Sequence, residues 1–547
     1  MRRLYKLMTF SQRRSLHEEA AQWYEANFKA DQDPNYPVLA HHWSRAEIAD
    51  KAIDNMDKAG EQSLQRGAYR EAIQFLTQSY ELSQEHGIRN ETRQLARWKL
   101  DLGIANLKIG NLDGSRENLE ASLQIFNRQL PDKVPEIQKG LKQQSGRQFL
   151  HRIMPFMFLG SVKDQNTREE FLIAARAYEH LGQLFYHAND PLSNLYTSVN
   201  VLNLAEQVGP SPQLTRAYGQ LTLTTMIMNR KRLSNIFSRL AIKSMNDSTP
   251  LTDRAMTNEF VAIAWSGIGR WAEANRLSVE AMQISEQIGD HRRWNENMSM
   301  TALTLYPQGE VKESLALREK LHLAGLRDND IQIQGWALLE QAEIALHQER
   351  FDDALKLIQT AVELGPVIGR PEEIWLYGML GSAHLHLGNI ESARETAMEA
   401  YNRLSKAPPT AFYVMEGYAC TVEVLLTLWL EDEEGADQAV ARDALDHFSR
   451  FAAVFPIGKP RVSLWRGTID WHEGNQKEAL NHWRKGVEEA QRLGMLYEAG
   501  LLQYELGRHL PQTGERQRHL QQAKMAFVRF EANGRLESSN ELIAAMG

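Results

Sequence analysis

The sequence predicts an all-α protein made of roughly ten to twelve antiparallel helix pairs, stacked one against the next as an α-solenoid. Two observations predict this class: a recurring small-residue signature, and a lack of strand patterns. In the signature, a glycine ends one apolar-periodic segment and a small residue opens the next, five residues later. Its copies are Gly67 with Ala72, Gly110 with Ser115, Gly269 with Ala274, Gly388 with Ala393, and Gly474 with Ala479.

The spacing of these glycines indicates a repeated unit. Successive glycines lie 43, 159, 119 and 86 residues apart. These separations are close to one, four, three and two copies of a unit of roughly forty residues. Val, Ile and Thr do not alternate in bounded runs, so strands are not predicted. Stacked helix pairs present extended surfaces, and this class therefore favours partner binding over catalysis.

The clearest unit covers residues 371–405. Tyr377, Leu380, Gly381 and His384 share one helical face by their three- and four-residue spacings. Gly388 ends this helix, and small residues at 393, 397 and 400 line the next one. This order resembles the tetratricopeptide pattern, although the spacing exceeds its consensus of ~34 residues and HEAT-like repeats share a period near forty. The unit beginning at Phe351 falls at the expected position of the repeat, although it lacks a turn glycine.

The chain is divided on this basis into repeats at 51–128 and 169–547, an irregular connector at 129–168 and a helical linker at 1–50. The connector carries Pro131, Pro135 and Pro155, scattered basic residues and the apolar run 153–159. We expect an ordered connector that tucks this apolar run against neighbouring helices. The alternative is a partner-facing element, since long connections are often functional.

Composition restricts the class of partner and compartment. Acidic residues outnumber basic ones by 70 to 62, a net charge of −8, so no nucleic-acid partner is predicted. Cys420 is the only cysteine, which excludes an intrachain disulfide and is compatible with a reducing compartment. Residues 411–430 hold two charges over the length of a bilayer span, but they fall in phase with the repeat and predict a buried helix. No secretory signal is recognised, and the prediction is a cytoplasmic protein without a membrane span.

No enzyme is predicted, and no catalytic, cofactor-binding or metal-binding residue is assigned. Gly458-Lys459 is followed by Pro460 and lacks the phosphate-loop pattern. His41-His42 and His384/His386 point to different helical faces, and neither pair predicts a zinc site. The acidic run 431–434 lacks calcium-loop spacing and is interpreted as a solvated loop. A hidden active site would find its best support in the following residues, whose helical spacing favours core packing instead: Trp465, Trp471, His472, His482 and Trp483.

Three stretches resemble a more specific family. They comprise residues 10–17 with 23–25, 39–43, 58–62 and 67–72; residues 174–178 and 186–190 with 203–206 and 209–212; and residues 506–508 with 518–520 and Ala523. Together they resemble the helical C-terminal half of proteins built from a class III adenylyl/guanylyl cyclase domain, a P-loop NTPase domain and a tetratricopeptide-like array, a group that includes soluble adenylyl cyclase.

The resemblance implies that residues 1–50 are the end of an NTPase-associated module. It also implies that cyclase and NTPase domains would precede Met1, as in a truncation, a split gene or a late start. No catalytic residue carries over to any position of this chain. The implied function is a non-catalytic scaffold, the regulatory or protein-interaction arm of a cyclase/NTPase-type signalling protein. Its partners would be proteins held on the solenoid surface, with a cyclase/NTPase module in cis or in trans.

The alternative is a free-standing adaptor that binds peptides or helices without a cyclase link. The sequence leaves open the identity of the partner, the repeats that bind it and the oligomeric state.

Overall fold

The computed structural model describes residues 5, 8–27, 35–87, 91–188, 190–365, 370–406, 408–431, 438–511 and 514–545. Within these residues the chain forms 27 α-helices and three short 3-10 turns, with no strand. The all-α prediction is therefore confirmed. Most of the predicted acidic loop, at residues 432–434, lies outside the described residues, as does Asn189.

The chain divides into two compact units, Met1–Ala217 and Tyr218–Gly547. The helices of the first unit are α1 (Phe10–Asn27), α2 (Tyr36–Arg45), α3 (Ala49–Gln65), α4 (Tyr69–Glu85), α5 (Thr92–Lys108), α6 (Leu112–Ile125), α7 (Val134–Ile153), α8 (Pro155–Phe158), α9 (Gln165–His187) and α10 (Pro191–Val208). Helix α11 (Pro212–Ile227) begins in the first unit and ends in the second.

The second unit continues with the same kind of element. Its helices are α12 (Lys231–Ser244), α13 (Leu251–Ser266), α14 (Trp271–Ile288), α15 (His291–Leu305), α16 (Val311–Arg327), α17 (Ile331–His347), α18 (Phe351–Glu363), α19 (Arg370–His386), α20 (Ile390–Leu404), α21 (Met415–Glu431), α22 (Gln438–Val454), α23 (Lys459–His472), α24 (Gln476–Leu493), α25 (Leu496–His509), α26 (Gly514–Phe530) and α27 (Asn533–Ala544).

The described helices follow one another as twelve antiparallel pairs, in line with the predicted ten to twelve. The pairs are α1–α2, α3–α4, α5–α6, α9–α10, α11–α12, α13–α14, α15–α16, α17–α18, α19–α20, α21–α22, α23–α24 and α25–α26. Helices α7 and α8 lie outside this pairing, and α27 packs on α26.

The small-residue signature marks the turn inside a pair. All five of its glycines have a positive φ, between 76° and 84°, a conformation that glycine adopts without steric cost. The small residues that follow five positions later are all fully buried. Glu349, with φ 62°, takes the same place before Phe351. The unit predicted to keep its phase without a turn glycine therefore does so.

The two helices of a pair approach closely because glycine on the first helix faces a residue sixteen positions later. A Cβ on Gly60 would lie 2.7 Å from Leu76, and one on Gly103 would lie 2.6 Å from Leu119. A hydroxyl in the first turn of the second helix adds a bond back to the first. Ser115 donates to the Gly103 carbonyl at 2.8 Å, and the same contact joins Ser234 to Thr222 and Ser314 to Ala302.

The prediction of an irregular connector at 129–168 was wrong for most of that segment. Residues Val134–Ile153 form α7, a helix of 20 residues. Pro135 lies in its first turn, where a missing N–H breaks no intrahelical bond. A proline there starts the helix instead of interrupting it. The other predicted segment boundaries stay predictions.

The long apolar stretch near residue 420 is a core helix in this fold. Phe412–Glu431 is long and apolar enough, by length and composition alone, to cross a membrane, but 72% of that stretch is buried inside the protein. Helix α21 packs against α19, α20 and α22. This packing agrees with the predicted buried helix.

Helices α19 and α21 meet backbone to backbone at Gly378 and Gly417. A Cβ on Gly378 would overlap the Gly417 carbonyl oxygen, and one on Gly417 would lie 2.5 Å from the Ile374 oxygen. We expect Gly378→Ala to lower the free energy of unfolding by about 1–3 kcal/mol, because backbone cannot yield as a side chain does. Urea denaturation measures this. Gly146→Ala is the matched control: that helical glycine has open space around it, and the change should stabilise by about 0.5–1 kcal/mol. Equal effects of the two changes would contradict the close approach.

Candidate functional site

A surface groove in the second unit is the candidate partner site. It has a volume of about 390 Å³ and is formed by three consecutive helices, α22, α23 and α24. Its lining residues are Arg442, Leu445, Asp446, Arg466, Ile469, Asp470, Glu473 and His482. We call it the α22–α24 groove.

Helical spacing brings these side chains to one place. The α23 side of the groove uses positions 466, 469, 470 and 473, which recur every three or four residues and share one face. Leu445 and Ile469 are buried and form an apolar floor. The other lining residues are ionisable and form a rim of both signs. An apolar floor with a charged rim is the general composition of a protein-binding surface.

Ion pairs organise the rim. Arg442 pairs with Glu473, and its guanidinium also lies over the Trp429 ring, 5.0 Å from the centroid. Nε2 of His482 lies 3.4 Å from Oδ2 of Asp470. The described lining includes no hydroxyl, thiol or amine that could act as a nucleophile. The groove thus combines partly exposed charges with a small apolar floor.

The five aromatic and histidine residues considered for a hidden active site do not converge on one site. Trp483 is fully buried, and its indole N–H donates to the Leu464 carbonyl at 3.1 Å. Trp471 packs against Trp483 and His509 with tilted rings, at centroid separations of 5.8 and 4.1 Å. Of the five, only His482 lines the α22–α24 groove. Core packing explains the tryptophans, as their spacing indicated.

The histidine pairs behave differently from each other. His17, from α1, joins His41 and His42: its Nδ1 lies 2.9 Å from Nδ1 of His42, and the rings are 5.1–5.7 Å apart. Burial, and then the neighbouring His42, lowers the pKa of His17. In the described residues, no group of three or more His, Cys, Asp or Glu side chains has an arrangement that could hold a metal ion. His386 instead stacks on Phe351 at 4.4 Å.

A buried set of charges, which the sequence did not reveal, occupies the interior of the second unit. We call His347, Glu416, Arg461 and Glu498 the central ionic cluster. They come from α17, α21, α23 and α25, the first helices of four different pairs. All four residues are buried. Charged residues are rarely buried, so pattern reading places them on the surface and misses such a cluster.

Arg461 is the centre of this cluster. Its Nη2 lies 3.3 Å from both carboxylate oxygens of Glu416, and its Nε lies 3.7 Å from Glu498. His347 bridges the other side: Nε2 lies 3.1 Å from Glu416, and Nδ1 lies 2.9 Å from the Tyr306 hydroxyl. Tyr497 stacks on the His347 ring at 4.0 Å. A cavity of about 30 Å³ lies beside the cluster.

Burial and pairing move the pKa values of these groups in opposite directions. Burial alone would raise the pKa of Glu416, but Arg461 and His347 outweigh it and lower that pKa to about 2. For Glu498, burial outweighs Arg461 and raises the pKa. Glu416 is therefore the charged partner of Arg461, and the second carboxyl is held less firmly in its ionised form.

A second buried pair lies on α16 and α17. Arg318 is fully buried, and its Nε lies 3.5 Å from Oε2 of Glu340 while Nη1 donates to the Glu340 carbonyl. The Ser299 hydroxyl donates to the Glu340 carboxylate at 2.5 Å. Burial raises the pKa of Glu340 to about 7, with Arg318 and Ser299 opposing it.

Contacts between distant parts of the second unit accompany these buried charges. The Trp271 indole donates to the Leu493 carbonyl at 2.6 Å, across 222 residues. Arg529 donates to the Gly309 carbonyl at 2.9 Å, and Glu349 accepts from the Arg535 amide at 2.8 Å. First helices of several pairs thus pack on one another at the central ionic cluster. At this cluster, the space between the first helices is occupied by their own side chains.

The comparisons with known proteins concern the repeat. Residues 334–406 match the tetratricopeptide repeat family model, which places the pattern on α17 to α20. No curated protein matches the sequence. This match supports a tetratricopeptide-like helical region at residues 334–406, while the relation to cyclase–NTPase proteins stays a proposal.

Three solved structures are similar to this chain at low identity. Aspartyl phosphate phosphatase F from Bacillus subtilis is 11% identical over 75% of this chain and 96% of its own, with a TM-score of 0.41. The APC/C hetero-tetramer Cut9–Hcn1 is 13% identical, covering 88% and 93%, with a TM-score of 0.38. Yeast Tom70 is 12% identical, covering 94% and 99%, with a TM-score of 0.32.

Removing Arg461 should open the central ionic cluster. We expect Arg461→Met to lower the free energy of unfolding by about 3–5 kcal/mol, because it leaves the Glu416 carboxylate buried without its counter-ion. Adding Glu416→Gln to this variant should restore part of the loss by removing the unpaired charge. Urea denaturation of the single and double variants tests this. If the second change made the protein less stable still, the pairing would not be the reason for the loss.

Glu340 should make stability depend on pH near neutrality. Its pKa is about 7 in the folded protein against an ordinary value of 4.5. Its contribution is therefore complete below about pH 4.5 and is lost as the pH rises through about 7, a change of about 3 kcal/mol. Glu340→Gln should flatten the fall in the urea midpoint between pH 5.5 and pH 8.

The exposed Glu313 on α16 supplies the control for this experiment. Glu313→Gln should follow the wild-type pH profile. Identical profiles for Glu340→Gln and the wild type would show that Glu340 does not titrate in this range.

Proposed function

We propose that this chain is a non-catalytic helical-repeat scaffold, and that it receives a segment of a protein partner in the α22–α24 groove. The observation that carries the proposal is the groove itself, which combines an apolar floor of Leu445 and Ile469 with a rim of both charge signs. The floor and the rim both lie on repeat helices, and the packing of these helices holds the surface rigid. Rigid surfaces bind with a smaller loss of conformational freedom.

The filled interior supports this choice of surface. A partner seated between the first helices would have to displace Arg461, Glu416 and His347 from their mutual contacts. Separating buried, paired charges is costly. The α22–α24 groove requires no such rearrangement, and its ion pairs are partly exposed and therefore less firmly held than the buried ones.

The finer proposal is that the scaffold is the regulatory arm of a cyclase/NTPase-type signalling protein, in the cytoplasm. Its support is the resemblance of the three sequence stretches in residues 10–72, 174–212 and 506–523. The partner would then be a cyclase/NTPase module, in the same chain or in another. A free-standing adaptor for peptides or helices is the competing reading, and partner identity separates the two.

Crosslinking capture with the full chain from its source cells, followed by peptide mapping, tests both levels. We expect the double variant Arg442→Glu/Arg466→Glu to recover the partner at least tenfold less than the wild type, because it reverses both cations of the rim. Arg276→Glu/Arg508→Glu is the matched control, since both arginines are exposed and neither lines the groove. Unaltered thermal denaturation should show that both variants remain folded.

The identity of the groove-dependent partner then decides the finer point. Recovery of cyclase or NTPase polypeptides would support the regulatory arm. Recovery of other proteins alone would support the adaptor. Equal recovery by all three chains would contradict the α22–α24 groove as the binding surface.

A further inference from the structure

The C-terminal half of helix α7 is packed with polar side chains inward, although Ile137 is buried in its N-terminal half. Gln148 donates to Asn203 and to Glu206, both at 2.8 Å, and Nδ1 of His151 lies 2.7 Å from Glu206. His151 and Glu206 are buried, and Arg152 pairs with the same carboxylate. A surface helix normally buries its apolar side. Here the buried polar groups are hydrogen-bonded to α10, and the apolar side is left to face outward.

The outward side carries a cluster of large apolar side chains around the end of α7 and the short α8. The prediction that the apolar run 153–159 tucks against neighbouring helices was wrong for most of its residues. The following side chains are between 39% and 83% exposed: Phe149, Leu150, Ile153, Phe156, Met157 and Leu159. Phe156 is the most exposed of them. Exposed apolar patches of this kind mark contact surfaces.

The same segment has charge of one sign. Between Ile137 and Lys163 there is no Asp or Glu, in a chain with 70 acidic residues and a net charge of −8. The basic residues in this interval are Lys139, Lys142, Arg147, Arg152 and Lys163. Lys139, Lys142 and Arg147 are exposed on α7. We call residues 139–163 the basic–apolar corner.

Charge and apolar surface are separated along the helix axis instead of around it. Lys139 and Lys142 share the outward face with Phe149 and Ile153 by three- and four-residue spacings. Lys142 and Ile153 are eleven positions apart, which corresponds to about 16 Å of helix. The face thus passes from a basic half to an apolar tip. A partner helix lying in a groove requires apolar contacts along its whole length, at every first, fourth and eighth residue.

A layered environment matches this order. A membrane surface presents anionic headgroups over hydrocarbon, and interfacial segments enter it with aromatic and aliphatic side chains flanked by Lys and Arg. From this match we infer that the basic–apolar corner binds the surface of an anionic membrane. Phe156, Met157 and Ile153 enter the acyl boundary, and the lysines and Arg147 lie at the level of the phosphates. This contact is separate from the partner binding in the α22–α24 groove.

Vesicle flotation with the full chain tests the inference. The vesicles contain phosphatidylcholine alone, or phosphatidylcholine with about 30% phosphatidylserine to supply the negative surface potential. We expect the wild type to float with the anionic vesicles at least tenfold more than with the neutral ones. Raising the salt concentration should reduce the bound fraction, because the attraction of exposed charges is screened.

Two variants separate the apolar and the electrostatic contributions. Phe156→Asp/Met157→Asp and Lys139→Glu/Lys142→Glu should each reduce flotation with anionic vesicles at least tenfold. The control is Leu323→Asp/Met525→Asp, which changes side chains that are 65% and 73% exposed elsewhere on the chain and should float like the wild type. Thermal denaturation of each variant should match the wild type, since all these side chains are exposed.

Three results would overturn the inference. The first is wild-type protein that does not float with anionic vesicles. The second is Phe156→Asp/Met157→Asp floating as well as the wild type. The third is a wild-type dimer, measured by light scattering, that this variant dissociates while vesicles are not bound, because a second copy would then cover the corner.

Discussion

The pairing of Arg461 with Glu416 is the interaction on which the second unit depends. A buried guanidinium is tolerated only when carboxylates and hydrogen bonds compensate it, and here the compensation comes from Glu416, Glu498 and His347. Each of these residues belongs to a different helix pair. The charge balance therefore fixes four pairs relative to one another. In a simple array each repeat contacts only its neighbours, whereas here distant repeats share one set of contacts.

The packing of these first helices on one another determines which surfaces remain for binding. With the first helices packed on one another at the central ionic cluster, exposed contact surface is provided by the parts of the repeat helices away from that cluster and by elements outside the pairing. The α22–α24 groove is of the first kind: it is formed by two second helices, α22 and α24, and by Arg466, Ile469 and Asp470 of the first helix α23. The basic–apolar corner, on α7 and α8, is of the second kind. The two surfaces differ in chemistry, one with mixed charge over a small apolar floor and one with uniform charge beside a large apolar tip.

The sequence predicts features that depend on residues close together in the chain, and it does not predict contacts between residues far apart. Helix pairs were predictable because the turn glycine, the buried small residue five positions later and the helical period all act within forty residues. Helix α7 was missed because Pro135 reads as a breaker unless its place in the first turn is known, and because its inward side includes the polar Gln148 and His151 beside Ile137. The central ionic cluster joins residues up to 151 positions apart, and no local pattern reports such a contact. His17 joined His42 across 25 residues for the same reason.

Two departures from the repeat signature lie where residues far apart in the second unit contact each other. The residue two positions after the turn glycine is half-exposed in other copies, as at Leu112 and Ile390, but Trp271 is buried because its indole reaches the Leu493 carbonyl. Glu349 occupies a left-handed turn position that holds glycine in the five signature copies, at some conformational cost. Its carboxylate accepts from the Arg535 amide, which offsets that cost. At Trp271 and Glu349, the departure from the signature accompanies a long-range contact made by that residue.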